Sequence, residues 1–427
     1  MRRIAFVLVV FLGTGGCIHG QPATHSGYVP ITISKLTDKL HIITVTGGRE
    51  FNMPLYRTNL LASVGPDGIL LVDAGFEATG PALRDTLKFL GNGQLKMVIS
   101  THYHGDHTSG NRFLSDQAPV LAQQNVLTCM SGNYFHLLGS PSPNRPTVGF
   151  DDSLIIHFNG EEIHVVHAPK CHSDGDAYLY FTASKVVAAG DLFFPDEIPY
   201  VDLPRNGTVS GYAAQIKRFM EIFPDDVTFV AAHGRSYNKK DLEQYHRMLT
   251  ETVRLVQQAA AEGRTAEQMI EQNLLADWAD WEGQFSNTTL AAWIQTVYAE
   301  LSGITDTRPS ICEPMTHTLI EGTVQDAMEE YRRLRATQPD AYDFGENQLN
   351  MLGYQLLGRR RLGDALEIFK LNVELYPASF NVYDSYGEAL LAAGDTTRSI
   401  VNYGRSLELN PENTNAVEVL KRLRPSD

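Results

Sequence analysis

Three histidines and an aspartate stand within six residues at the end of an apolar run, MVISTHYHGDH, from Met97 to His107. Imidazole and carboxylate together are the usual ligands of divalent metals. Met97, Val98 and Ile99 have the apolar, partly β-branched character of a buried strand, and Ser100 and Thr101 lead out of it into a turn built on Gly105. His102 and His104 lie two apart, so in extended backbone they project on one side. Asp106 and His107 follow once Gly105 has turned the chain, so two clusters of ligands are expected to point at neighbouring places. A single histidine is ordinarily a satisfied or solvated polar group. With 14 His in 427 residues, however, the spacing His-x-His-x-Asp-His would arise by chance roughly once in a thousand such chains.

The rest of the first 300 residues reads as the frame for that stretch. Alternating apolar residues from Ile31 to Ile43 suggest opening strands. Asn59 to Val64 suggests another, closed by the Gly65-Pro66-Asp67-Gly68 turn and returning as Ile69 to Val72, which delivers Asp73. Pro81 to Leu90 predicts a helix with Leu83, Leu87 and Leu90 on one face and Gly91-Asn92-Gly93 as its stop. Ala118 to Leu121 predicts a short strand. The stretch from Asn125 to Pro146, rich in Gly, Pro, Ser and Asn, reads as a loop suited to contacting substrate. Glu162 to His167 predicts a strand, after which His164, His167 and His172 compete for one ligand position. The two histidines of the strand read as solvent-facing. Cys171 adjoins His172, but neighbours on extended backbone point to opposite sides, so it reads as a packing residue. Lys185 to Ala189 predicts a strand ending at Gly190-Asp191, Ser210 a helix cap for a helix through Phe223, and Val227 to Ala232 a last core strand before His233-Gly234-Arg235. Helices are expected over 240–263 and 289–301, with Trp278 and Trp281 between them.

The His102-x-His104-x-Asp106-His107 spacing is the signature of the metallo-β-lactamase superfamily, and the chain resembles a member of it. The resemblance implies an α+β chain: an αββα sandwich over residues 28–302 with a mono- or dinuclear metal site at the sheet edges. It selects His172, in His-Ser-Asp-Gly-Asp, over its two competitors, and matches Asp191 to a carboxylate that bridges two metals. His233 completes the implied set: His102, His104 and His172 for one metal, Asp106, His107 and His233 for the other, and Asp191 between. Asp73 falls where the superfamily carries an Asp-x-Gly near the metals but not on them, which implies that it orients the ligand loop or stabilises its turn. Lys170-Cys171 departs from the Pro-Gly of many relatives. Asp191 stands where the true β-lactamases carry Cys or Ser, which turns the expectation toward broader hydrolases such as glyoxalase II and the lactonases. Two divalent ions are implied, for which these ligands suit Zn²⁺ best and admit Fe or Mn. Two such ions would lower the pKa of a shared water from 15.7 to about 7. Asp106 and Asp191 are the candidate catalytic residues, the first to orient that nucleophile, while the proton for the leaving group could come from Asp191 or from solvent.

A formal charge of −15 argues against a general affinity for phosphate backbones, so nucleic acid is not an expected partner. The N-terminus, MRRIAFVLVVFLGTGGC, has a basic pair, an apolar run from Ile4 to Leu12 and small residues up to Cys17. Residues 1–20 therefore read as a secretory signal, too short to span a membrane. Thr-Gly-Gly before Cys17 resembles a bacterial lipoprotein box, in which Leu is usual where Thr14 stands, and lipidation of Cys17 would be the route to a membrane. A secreted, periplasmic or lipid-anchored protein is expected. Cys129, Cys171 and Cys312 imply no disulfide framework.

Beyond residue 302 the sequence repeats. Gly353 and Gly387, Gln355 and Ala389, Phe369 and Tyr403, and Pro377 and Pro411 are each separated by the tetratricopeptide period. Residues 346–424 are expected to form a small α-helical domain of such repeats after a helical linker over 303–345, with Val324 to Ala336 packing as a cap. The repeats suit a protein partner. The leading expectation is a secreted dinuclear hydrolase of a small ester, thioester, lactone or amide. The alternatives are a β-lactam-hydrolysing metallo-β-lactamase and a protein-binding repeat protein with a vestigial metal site.

Overall fold

The computed structural model describes residues 31–47, 56–132, 145–283, 288–303, 308–358, 360–411 and 413–423. The expected signal segment and Cys17 lie outside them. The described residues fall into two compact units, one holding both sheets over 31–47, 56–127 and 145–303, the other all helical and holding 128–132 together with the described residues from 308 on.

The first sheet sets seven strands side by side in chain order: β1 (Ile31–Lys35), β2 (Leu40–Gly47), β3 (Tyr56–Gly65), β4 (Gly68–Val72), β5 (Leu95–Ile99), β6 (Val120–Gln123) and β7 (Val148–Phe150). The second has five, from β8 (Ser153–Phe158), β9 (Glu161–His167), β10 (Ala177–Phe181) and β11 (Val186–Gly190) to β12 (Thr228–Ala231). Period-two alternation assigns each strand's faces. Leu70 and Val72 join Val186, Ala188, Ile163 and Val165 in a core between the sheets. Their neighbours Ile69 and Leu71 pack outward with Leu83 and Leu87 of the helix Gly80–Leu87. Val187 and Ala189 pack outward from the second sheet against Tyr212, Ile216 and Phe219 of the helix Val209–Ile222 and Leu242, Tyr245 and Leu249 of the helix Lys239–Ala261. Because every strand near the centre is apolar on both faces, the unit is layered helix, sheet, sheet, helix, as the sequence implied.

The parallel pairings β4 with β5 and β11 with β12 bring their carboxyl ends to one edge. The edge is tied across the two sheets. Asn59 donates its main-chain N–H to Ala232 O at 2.6 Å and its side-chain amide to Ala231 O and Gly234 O, while Ala177 N donates to Thr101 O at 2.8 Å.

Three local expectations are corrected. Thr208, not Ser210, caps the helix Val209–Ile222: Thr208 is extended and its hydroxyl accepts from Gly211 N, whereas Ser210 lies inside the first turn and donates to Glu300 Oε1 at 2.6 Å. The expected loop from Asn125 begins instead as a helix, Gln124–Gly132. Val126 and Met130, four apart and fully buried, anchor it, which the surrounding Gly, Ser and Asn concealed. Residues 133–144 of that stretch lie outside the described residues. The strand expected at Ala118 to Leu121 is shifted to Val120–Gln123.

In the second unit the stretch read as a linker carries the helices Cys312–Glu321 and Val324–Thr337. Two further pairs follow, Glu346–Gly358 with Leu362–Leu375 and Phe380–Ala392 with Thr396–Leu409. Every boundary of the second pair falls 34 residues after its counterpart in the first. Gly353 lets Phe369 approach so closely that a Cβ would lie 2.7 Å from the ring, and Gly387 receives Tyr403 in the same way, at 3.1 Å. Among the described residues no helix is long and apolar enough to cross a membrane.

Candidate metal centre

Each of the seven side chains singled out in the sequence follows the carboxyl end of a strand. β5 hands the chain to His102, His104, Asp106 and His107, β9 to His172, β11 to Asp191 and β12 to His233. The chain turns after β11 at Gly190, whose φ of +55° and Cβ direction, 2.6 Å from Thr101 Oγ1, leave room for no larger residue. Asp191 is thereby set between the two sheets' ligand loops.

The structure brings all seven together. His102, His104, His172 and Asp191 form one group and Asp106, His107 and His233 another, with the donor atoms of each group within 4.8 Å of one another. Asp191 reaches both. Its Oδ2 lies 3.6 Å from His172 Nε2 and 3.8 Å from His102 Nε2, and its Oδ1 lies 3.3 Å from His107 Nε2 and 3.4 Å from His233 Nε2. Asp106 Oδ2 is 3.3 Å from His107 Nε2 and 3.2 Å from His233 Nε2. His164 and His167 stay out of the cluster: the first pairs with Glu162 at 2.7 Å and the second with Asp174 O at 2.8 Å.

Whether these residues suit a metal can be tested on the polar atoms they leave over. His102 Nε2, His107 Nε2 and Asp191 Oδ1 are buried and have no hydrogen-bond partner. Burying an unsatisfied polar atom costs about 1–3 kcal/mol, and three in one place are expensive unless something else binds them. His107 Nε2 and Asp191 Oδ1 stand 3.3 Å apart without hydrogen-bonding geometry, so both face a common point rather than each other. The residues fit divalent cations. Sulfur takes no part: Cys171 is buried, with Sγ against Pro169 O and Gly211 O.

The opposite ring nitrogens are occupied. His107 Nδ1 meets Asp73 Oδ2 at 2.8 Å, His172 Nδ1 donates to Tyr200 O at 2.9 Å and His233 Nδ1 to Arg57 O at 2.8 Å. Asp73, at φ +62°, also accepts from Thr101 N and Oγ1, so it both turns the chain and orients His107, the two roles the sequence left open for it. Asp176 holds the His172 loop by accepting from Ser173 N and Oγ.

Burial alone would push both Asp106 and Asp191 upward, but the facing His107 and His233 hold both carboxyls well below the usual carboxylate range. Burial drives His102 down, and His172 down to about 4. His107 and His233 go the other way, His233 to about 10, because the charges of Asp106 and Asp191 outweigh their burial. The cluster thus offers ionised carboxylates together with neutral His102 and His172, the states a metal requires, while His107 and His233 would give up a proton to bind one.

Sequence reasoning missed Asn59, Tyr103, Tyr200 and Asp202, which hold the cluster from outside. Asp202 lies 98 residues from His104, and its stretch, YVDLPRNG, carries no recognisable spacing. Only the fold brings it there.

The sequence model of the metallo-beta-lactamase superfamily matches residues 58–235. An uncharacterized protein of Aquifex aeolicus is 27% identical over 173 residues, which are 38% of this chain and 77% of that protein. The lactamase-like protein aptB of Emericella nidulans is 28% identical over 170 residues, 37% of this chain and 48% of that one. The atrochrysone carboxyl ACP thioesterase dmxR1 of a Cryptosporiopsis species is 28% identical over 156 residues, 35% of this chain and 44% of that one. The chain therefore spans less than half the length of the last two. Among solved structures, a metallo-beta-lactamase from Pontibacter korlensis aligns over 52% of this chain and 99% of its own, at 18% identity and a TM-score of 0.45.

Proposed function

We propose, from the match of residues 58–235 to the metallo-beta-lactamase superfamily model, that this chain hydrolyses a small ester, thioester, lactone or amide with two divalent metals. His102, His104 and His172 would hold the first, Asp106, His107 and His233 the second, and Asp191 would stand between. The observation that carries this reading is the convergence of three buried, partnerless donor atoms, His102 Nε2, His107 Nε2 and Asp191 Oδ1, on one place.

Bound there, the metals would supply Lewis acidity toward a carbonyl oxygen and toward an attacking water. The chain's own groups divide the remaining work. Asp106 keeps 18% of its side chain exposed against 5% for Asp191, so Asp106 is the carboxylate able to meet and orient a water molecule. Asp191 is enclosed by histidines of both groups and suits a bridging role. The imidazole and carboxylate donors suit Zn²⁺ best and admit Fe or Mn.

A carboxylate at position 191, where β-lactamases carry Cys or Ser, supports carbonyl substrates other than β-lactams, and the thioesterase among the relatives supports a thioester. The paired helices with their 34-residue offset support tetratricopeptide-like repeats that receive a protein partner. The basic and apolar N-terminus supports export, with Cys17 as the lipidation residue if the protein is anchored.

Elemental analysis of the purified chain is expected to find close to two transition-metal ions. Asp191→Ala removes a negative charge from between two dications and should release the second ion first, lowering kcat by on the order of a hundredfold. Thioester, lactone and carboxylic ester substrates should be turned over and nitrocefin should not. One ion or none under zinc, iron and manganese supplementation, or Asp191→Ala with unchanged metal and kcat, would overturn the dinuclear reading. Preferential nitrocefin turnover would move the substrate to β-lactams.

A further inference from the structure

The loop from Tyr200 to Gly207 is built around the first group of ligands. Tyr200 O accepts from His172 Nδ1, and Asp202 N donates to His172 O at 2.8 Å. Gly207 passes the same carbonyl so closely that a Cβ would lie 2.3 Å from it. From there the Asp202 side chain, 4% exposed, reaches across to the other ligand loop. Its Oδ2 stands 3.2 Å from His104 Nε2 and also accepts the hydroxyl of Tyr103, the residue between the two histidines of the motif.

His104 is the one ring of the five held in this way. His107, His172 and His233 have Nδ1 engaged by Asp73, Tyr200 O and Arg57 O, and His102 has Nδ1 3.2 Å from Thr101 Oγ1, so all four turn Nε2 inward. In His104 the order is reversed: Nε2 meets Asp202 while Nδ1 lies 2.9 Å from His172 Nε2. Among the described residues no main-chain carbonyl holds this ring. Its orientation rests on a side chain that belongs to neither group of ligands.

We propose that Asp202, braced by Tyr103, is the positioning residue that keeps His104 Nδ1 turned toward the first metal position and so sets the affinity of that position independently of the second. A carboxylate on the far nitrogen fixes the tautomer and raises the basicity of the coordinating one, and its loss commonly costs 10- to 100-fold in metal affinity. The second group is oriented by Asp73 and Arg57 O, which Asp202 does not touch. The inference rests on the metal-centre reading above.

Competition of the full-length chain with a chromophoric chelator for zinc tests it, with the equivalent lost in His102→Ala marking the first position. Asp202→Ala should weaken that equivalent by 10- to 100-fold and leave the other within twofold. Asp202→Asn, which keeps an acceptor but loses the charge, should fall between it and the wild type. In the Co²⁺ form the visible spectrum of the first equivalent should change in both variants. Should the Asp202 variants fail to fold, the wild type still decides: ¹⁵N-histidine spectra of the zinc-loaded chain should show one ligand ring with a protected Nε2–H, and Tyr103→Phe should shift that resonance. Both equivalents within twofold of wild type in Asp202→Ala, equal loss of both, or no Tyr103-sensitive Nε2–H would overturn the proposal. A wild type that takes up no metal would instead overturn the metal-centre reading, and this inference with it.

Discussion

At the scale of single residues the two groups of ligands differ in the protons they must give up. Without metal, His107 and His233 are held charged by Asp106 and Asp191, His233 up to about 10, whereas His172 is neutral above about 4 and His102 is likewise driven down. In the first group only His104 is raised, because Asp202 outweighs the burial that opposes it. A dication cannot bind a protonated ring, so each raised histidine must release a proton as metal enters, and affinity climbs by about tenfold per pH unit for each one released. The sign follows: raising pH toward the folded-state pKa removes competing protons and tightens binding. Between about pH 6 and pH 8 the second equivalent of zinc should gain affinity more steeply than the first. Chelator competition at the two ends of that window measures both slopes, and equal slopes would show that the metal-free charges are distributed otherwise.

Elements sort differently. Strand positions were readable because apolar runs such as Met97 to Ile99 and Lys185 to Ala189 end in turn residues, and His102 through His107 was legible because all four donors lie in one stretch. His172, Asp191 and His233 needed the resemblance, since isolated histidines and aspartates carry no spacing of their own. Asp202 and Asn59 could not be found at all, because what they touch is set by sheet pairing, not by neighbours in sequence. The second unit repeats this lesson. Its 34-residue period was visible, but the asymmetry within it was not: Gly353 packs its Cα at a distance where a Cβ would be 2.7 Å from Phe369, against 3.1 Å from Tyr403 at Gly387. Alanine is favoured over glycine inside a helix by about 1 kcal/mol, and overpacking costs about 1–3 kcal/mol. Phe369 is fully buried and has little room to retreat, so Gly353→Ala should lower the unfolding temperature while Gly387→Ala leaves it nearly unchanged. Calorimetry of the two variants decides this, and equal losses would mean that the two pairs are packed alike.

For the whole molecule the question is which unit carries the chemistry. Every donor of the candidate centre lies between His102 and His233, and the groups that orient them, from Arg57 to Asp202, lie within the same unit. The helical unit has its own buried core around Tyr331, Leu352, Phe369 and Ala389, which is the property expected of a part that folds as a body. Removing residues beyond 303 should therefore leave zinc stoichiometry unchanged and kcat within a few-fold, while any exposed apolar surface would lower solubility rather than turnover. Metal content and activity measured on the truncated chain check this. A soluble truncation that keeps its metal yet turns over none of the full chain's substrates would place part of the substrate's binding energy in the helical unit. Recognition of a partner and recognition of a substrate would then no longer be separable tasks in this protein.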